Sequence, residues 1–386
     1  MNSSSRLRIL VSGMVAGDPG LGGASWAVLQ YVLGFQSLGH EVYLVEPIDD
    51  SSIHPRESPL DRSDNATYFR CLVDRFGLAE RASLLHQQSK QAIGVPYDRL
   101  CRVARDVDVL INISGMLSDP RLIERLPTRV YLDLDPAFNQ LWHAACGIDM
   151  RFDGHTRFVT VGQALGTPAC EVPTCGRDWI PTLPPVVLDR WPAANGIERD
   201  ALTTVGNWRG YGSIEHEGVH YGQKAHSLRE LMGLPQRTVE RFLLALAIHP
   251  DERADLEALA AHRWELADPG EVAGAPEAYR RFVRGSKAEF GLTKSGYVRS
   301  RCGWFSDRSA CYLASGRPVV AQDTGFSAFL PTGEGLLSFG DEDGAAAAVE
   351  ELRRDYPRHA RAARALAEAH LDSDRVLARL LERVHA

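Results

Sequence analysis

The sequence predicts an α/β protein of two doubly wound domains that face one another across a cleft and end in a helical tail. Three observations carry this prediction. Short β-branched runs alternate with helical segments in two separate blocks, the pattern of parallel sheets covered on both faces. A proline-rich stretch, VPTCGRDWIPTLPPVVLDRWPAAN, lies between the blocks, and prolines break regular elements there. The chain of 386 residues, 44% hydrophobic and 24% charged, is ordinary for a soluble protein and too long for one core. The expected boundaries are 1–190, 191–355 and a helical 356–386 that packs back towards the first domain.

The elements follow in order. RLRILVSG (7–13) reads as a buried strand, Ser25 to Leu38 as a helix, and EVYLVE (41–46) as the next strand, entered through the turn Leu38-Gly39-His40. This is a βαβ unit. Further strands are expected at 108–114, 129–135 and 156–162, with helices at Tyr97–Arg105 and Phe138–Cys146. The second block offers strands at 201–208, 241–248, 264–268, 289–293 and 317–322, and helices near 223–233, 251–261, 276–284, 306–315 and 343–354. The tail is helical, with a cap at Asp372-Ser373-Asp374. In such folds ligands bind where the carboxyl ends of the strands face the cleft.

Composition narrows the function. A net charge of −7 argues against coating nucleic acid, which needs a basic surface. The N-terminal apolar run is too short for a secretory segment or a membrane span, so the expectation is a cytoplasmic protein. Seven cysteines without CxxC spacing point to reduced thiols rather than a disulfide framework or structural zinc.

Several motifs bear on chemistry. The loop SGMVAGDPGLGGASW opens the first helix, and its glycines let backbone amides approach an anion. A dinucleotide turn is the competing reading, with Glu46 where a ribose-binding acid would sit. That turn begins at the strand end, whereas Gly20, Gly22 and Gly23 come seven or more residues later. HEGVH (216–220) matches the zinc-protease pattern, but glycines at 210, 212, 218 and 222 preclude the helix that would put both histidines on one face. A hairpin or loop is expected. Arg209 and Lys224 are either a diphosphate clamp at the cleft mouth or solvated surface cations. Asp133 and Asp135 share one face of a strand end; Asp135 is either a base or hydroxyl ligand in the cleft, or the cap of a helix begun by Pro136. GWFSDRSACYLASGRPVV (303–320) reads as a turn, a helix N-terminus suited to phosphate at Ser306, Asp307 and Arg308, and a Gly316 stop before a strand. QDTG (322–325) ends that strand at the same crevice.

SDR followed by LASGRPVVAQDTG resembles the donor-binding segment of GT-B glycosyltransferases, especially the family-four-like and spore-coat-type enzymes. GGASWAVLQYVLGFQSLGHEV is similar to their N-terminal glycine pair, helix and strand entry. The resemblance spans nearly the whole chain and departs from the pattern in two places. Gly303 and Cys311 occupy the positions of the glutamate pair of retaining members. RCGWFS (301–306) echoes the plant-type HCGWNS, with two more residues before the later proline.

The resemblance implies transfer of a sugar from a nucleotide-diphosphate sugar to a small or medium acceptor, without a bound metal or cofactor. It implies a donor held by Arg209, Lys224, Lys294, Trp304, Ser306, Asp307, Arg308, Asp323 and Thr324, and an acceptor entering past Gly22 and Gly23. Asp18, and after it Asp135, are the candidate bases. The alternatives are a sugar-nucleotide epimerase of the same fold, an NAD-dependent dehydrogenase and a non-catalytic nucleotide-sugar binder.

Overall fold

The computed structural model describes residues 6–386 and has two parallel-stranded α/β units. The first sheet contains β1 (Arg8–Ser12), β2 (Glu41–Ile48), β3 (Ala82–His86), β4 (Ala92–Gly94), β5 (Val109–Ile113), β6 (Thr128–Asp133), β7 (Arg157–Thr160) and β8 (Trp179–Pro181), ordered β4-β3-β2-β1-β5-β6-β7-β8. Only β4 runs antiparallel. The second sheet contains β9 (Arg199–Asn207), β12 (Phe242–Ala247), β13 (Glu265–Leu266), β14 (Ser286–Gly291), β15 (Val319–Gln322) and β16 (Leu336–Phe339), all parallel, in the order β13-β12-β9-β14-β15-β16. Between β9 and β12 lies a small hairpin of β10 (Ile214–His216) and β11 (Val219–Tyr221).

The helices of the first unit are α1 (Gly22–Ser37), α2 (Asp64–Phe76), α3 (Tyr97–Val103), α4 (Pro120–Ile123) and α5 (Phe138–Ala144). Those of the second are α6 (Lys224–Arg229), α7 (Arg253–Ala261), α8 (Pro269–Ala273), α9 (Pro276–Gly285), α10 (Ser295–Ser300), α11 (Asp307–Ala314) and α12 (Glu342–Arg354), and the tail is α13 (Tyr356–His370) and α14 (Ser373–His385). Asp372 caps α14 by accepting from the Asp374 amide. Leu377, Leu380, Leu381 and Val384 enter the apolar core of the first sheet, and α14 lies against α1.

Several expectations are corrected. Trp179–Pro181 forms the edge strand β8 inside the proline-rich stretch, because an edge strand needs ladder partners on one side only. β3, β4, β16 and α2 had no sequence reading, although Gly77 in the left-handed region and the Ser63 cap bound α2. The helix after β6 starts at Phe138, as its expected range has it, and not at Pro136 as the capping reading of Asp135 required; Ala137 precedes it at φ +72°. HEGVH, in agreement with its reading, lies in the hairpin, with Glu217 and Gly218 at its tip. His220 lies opposite Glu215 and His216 opposite Val219, so the two histidines point to opposite faces.

The hairpin crosses to the first unit. Ile214, Val219 and Tyr221 share one apolar cluster with Phe138, Leu141, Phe152 and Trp179. A second junction joins residues 162–164 to 302–304: Gly162 bridges Trp304, and the Ala164 amide donates to the Cys302 carbonyl at 2.9 Å. A third joins α1 to α9, where the Trp26 indole donates to the Pro276 carbonyl at 2.8 Å.

Candidate functional site

The carboxyl ends of both sheets open onto a cavity of about 710 Å³, within the range of small-ligand sites. Its floor on the second unit is the end of β9 and the N-terminus of α11. Ser306 is the N-cap of α11, its hydroxyl accepting from the Arg308 amide at 3.2 Å. The helix dipole therefore points its positive end into the cavity.

Arg308 is buried and ties three elements together. Its Nε donates to the fully buried Glu289 of β14, Nη1 to the Val205 carbonyl at 2.9 Å and Nη2 to the Leu292 carbonyl at 3.3 Å. Such pairing is what a buried charge requires. Lys224, at the start of α6, makes no hydrogen bond or ion pair with any described residue and lines the cavity. Its ammonium and Arg308 converge over Gly206, whose added Cβ would lie 3.4 Å from Lys224 Nζ and 3.9 Å from Arg308 Nη1. Burial, then the positive charges of Arg308 and Lys294, push the Lys224 ammonium down to about 7. Asp307 lines the same wall, and burial raises its carboxyl against the opposing pull of Arg308.

Across the cavity, Asp135 follows β6 and meets the second unit. One carboxylate oxygen accepts from Lys294 Nζ at 3.2 Å and from the Tyr297 hydroxyl; the other accepts from Lys294 at 3.1 Å and from the Tyr211 hydroxyl at 2.6 Å. Each oxygen thus has two donors, which fills its lone-pair positions. Lys294 also lies 4.0 Å from the Tyr211 ring centre, and Tyr297 stacks on Trp304 at 4.2 Å and 11°. Burial lowers the Lys294 ammonium, opposed by Asp135. Asp133, fully buried, accepts from the side chains of Asn139 (2.6 Å), Gln140 (2.9 Å) and Thr160 (2.9 Å) and from the Asp135 amide (2.9 Å). Asp133, rather than Asp135, therefore ties the start of α5 to the sheet. Its burial pushes the carboxyl up to about 6, with the Gln140 and Thr160 bonds opposing.

The structure brings Asp135, Lys224, Lys294, Trp304, Ser306, Asp307 and Arg308 to the cavity and leaves other predicted residues out. Asp18 is exposed on the first loop and does not line the cavity, although the adjoining Pro19 and Gly20 do. Gly22 has no room for an anion: a Cβ there would sit 2.3 Å from the Ala275 carbonyl oxygen, so this glycine serves the contact between the units. Gly23 lines the cavity, with a Cβ position 3.0 Å from the Tyr279 ring. Arg209 is exposed and paired with Glu252 outside the lining. Asp323 caps its own turn, accepting from the Gly325 amide at 2.9 Å, and Thr324 donates to the Trp304 carbonyl at 2.5 Å. Both shape the turn behind the cavity wall. Glu46 accepts from the Ala16 and Gly17 amides at 2.8 and 2.6 Å; it is fully buried and holds the first loop, so no ribose-binding acid stands there. Burial pushes its carboxyl up to about 7, against those amide bonds.

Tyr211, Tyr297, Tyr279 and Glu289 escaped the sequence reading. The position of Tyr297, three residues after the α10 N-cap Lys294, is the one local signal available for any of them.

No protein-family model and no curated protein sequence matches this chain. Solved structures do match over nearly its whole length. An alpha-glucosyltransferase in complex with UDP shares 12% identity at a TM-score of 0.61, covering 98% of this chain and 100% of that one. Anabaena Alr3699/HepE in complex with UDP-glucose shares 13% at 0.56, covering 98% and 100%. AviGT4, a glycosyltransferase involved in avilamycin A biosynthesis, shares 15% at 0.51, covering 98% and 97%. At these identities the likeness establishes the fold, which is GT-B.

Proposed function

We propose that the protein is a glycosyltransferase that takes a sugar from a nucleotide-diphosphate sugar and passes it to an acceptor bound on the first unit. The carrying observation is the unpartnered Lys224 ammonium, set beside Ser306 and the N-terminus of α11 in the cavity between the two sheets. A diphosphate supplies the anion that this arrangement lacks. Helix dipole and cation together offset the charge that develops on the leaving diphosphate, so no metal is required in this reading. Trp304 and Lys294 stand where they can contact the transferred sugar or the acceptor. A carboxylate repels phosphate, so Asp307 is assigned to hydroxyl groups of the donor rather than to its diphosphate. The structural neighbours crystallised with UDP or UDP-glucose make these the first ligands to try.

The test is a melting-temperature screen of nucleoside diphosphates, followed by donor-consumption assays with the corresponding nucleotide sugars and candidate acceptors. One nucleotide should stabilise selectively by mass action, and its sugar conjugate should be consumed only when acceptor is present. Conversion of a sugar nucleotide without acceptor favours the epimerase. Stabilisation by NAD alone overturns the proposal, as does nucleotide binding without turnover across the acceptor panel.

A further inference from the structure

A second cavity, of about 410 Å³, lies between α14 and the end of β8. α14 buries Leu377, Leu381 and Val384 on one side and carries Arg375, Arg379 and Arg383 at four-residue spacing along its flank. Residues so spaced share one helical face. All three arginines line the groove, His370 completes the basic wall, Ile180 and Leu380 give it apolar surface, and no aspartate or glutamate lines it. Arg375 and Arg379 are exposed, and their side chains make no hydrogen bond or ion pair with any described residue. Arg383 gives one N–H to the Pro181 carbonyl at 2.6 Å. Some exposed arginines elsewhere are paired, as Arg241 is with Glu265 and Arg353 with Glu350, and others, such as Arg102 and Arg253, are not; what marks these three is that they line one cavity without a carboxylate. In a chain of net charge −7, this is a local reversal of sign inside a concave site rather than a share of a basic surface.

We propose that the groove is a second anion site, separate from the cleft, that takes a phosphate- or pyrophosphate-bearing ligand. Guanidinium forks match phosphate oxygens in pairs, and the volume suits a small ligand. The groove also adjoins a junction between the units. Gln163 lines it, and the Gln163 amide donates to the Gly303 carbonyl at 3.4 Å beside the Gly162–Trp304 bridge. Trp304 in turn lines the main cavity. The groove and the cleft wall are thus connected through Gln163, Gly303 and Trp304.

The probes are inorganic pyrophosphate, titrated calorimetrically at two salt concentrations, and sedimentation with phosphatidylglycerol or phosphatidylcholine vesicles. The proteins are the full chain, Arg375→Ala/Arg379→Ala and Lys224→Ala. Both arginines are exposed, so the double variant should keep the wild-type melting temperature. Pyrophosphate should bind a site that weakens at least about tenfold in the arginine variant, survives Lys224→Ala and weakens with salt. Binding to phosphatidylglycerol vesicles alone, lost in the arginine variant, also supports the site and identifies a lipid headgroup as the source of the phosphate. Pyrophosphate binding abolished by Lys224→Ala but untouched by the arginine changes, with no arginine-dependent vesicle binding, overturns the proposal. So does the absence of binding to both probes.

Discussion

Lys224 sits in the folded protein at a cost, since burial and two neighbouring cations bring its ammonium down to about 7 from the ordinary value near 10.4. The sign of the linkage follows. Between about pH 7 and pH 10 the unfolded chain binds the proton that the folded one has lost, so the Lys224 contribution to stability rises with pH across that window and its penalty is complete below it. Lys224→Met should therefore raise the melting temperature at pH 6 to 7 while weakening nucleoside diphosphate binding at least about tenfold. Wild-type affinity should fall as pH rises above about 7, because the anion binds the protonated amine, and the variant's profile should be flatter. Calorimetry at several pH values with a melting curve at each checks both signs; a variant that is less stable and binds normally refutes the role. Lys224, Lys294, Ser306 and Arg308 were legible in the sequence because cations and helix caps beside strand ends carry a local signature. Tyr211 and Tyr297 were not, since their meaning comes from a carboxylate 76 and 162 residues away.

At the scale of elements, the turn GWFSDR has its unusual composition because it serves two surfaces at once. Ser306 caps α11 towards the cavity, while Gly303 presses against the first unit. Gly303 has φ +73°, and a Cβ there would lie 2.9 Å from the Ala164 amide nitrogen. Gly303→Ala thus meets both a left-handed backbone and a backbone clash, and should destabilise by about 1–3 kcal/mol. Urea unfolding measures it; a change within about 0.5 kcal/mol would show that the junction gives way freely. The alternation of strands and helices was legible through its apolar runs. β8 was not, since three edge residues among prolines carry no periodicity. The tight use of Gly22 was also hidden, because a glycine beside a helix start reads the same whether it faces a ligand or another backbone.

At the scale of the whole molecule, the two units are joined by groups that they share, above all Asp135 from the first and Lys294, Tyr211 and Tyr297 from the second. Sequence alone foresaw that the domains would face each other; it offered no means of pairing Asp135 with Lys294. The pairing changes how Asp135 is to be tested as a base. A carboxylate whose lone pairs are filled by four donor contacts cannot take an acceptor's proton until one donor leaves, so Asp135 acts as a latch, or as a base only after the latch is rearranged. Asp135→Asn leaves Lys294 partly buried without its counter-charge, at a cost of about 3 kcal/mol, the lower end for a broken buried pair. Lys294→Met should cost less, because the Asp135 carboxylate it leaves without a counter-charge keeps the Tyr211 and Tyr297 hydroxyls as donors. The double variant Asp135→Asn/Lys294→Met should then recover much of the loss, the coupling expected of groups in contact. Stability and turnover separate in that double variant. If Asp135 is only a latch, the double variant turns over as fast as Lys294→Met alone. If it is the base, the double variant folds normally and remains slower than Lys294→Met by about a hundredfold or more. Additive stability losses with no coupling would show instead that the contact does not hold the units together in solution, and a radius of gyration for the wild type no smaller than that of either single variant would agree with that outcome.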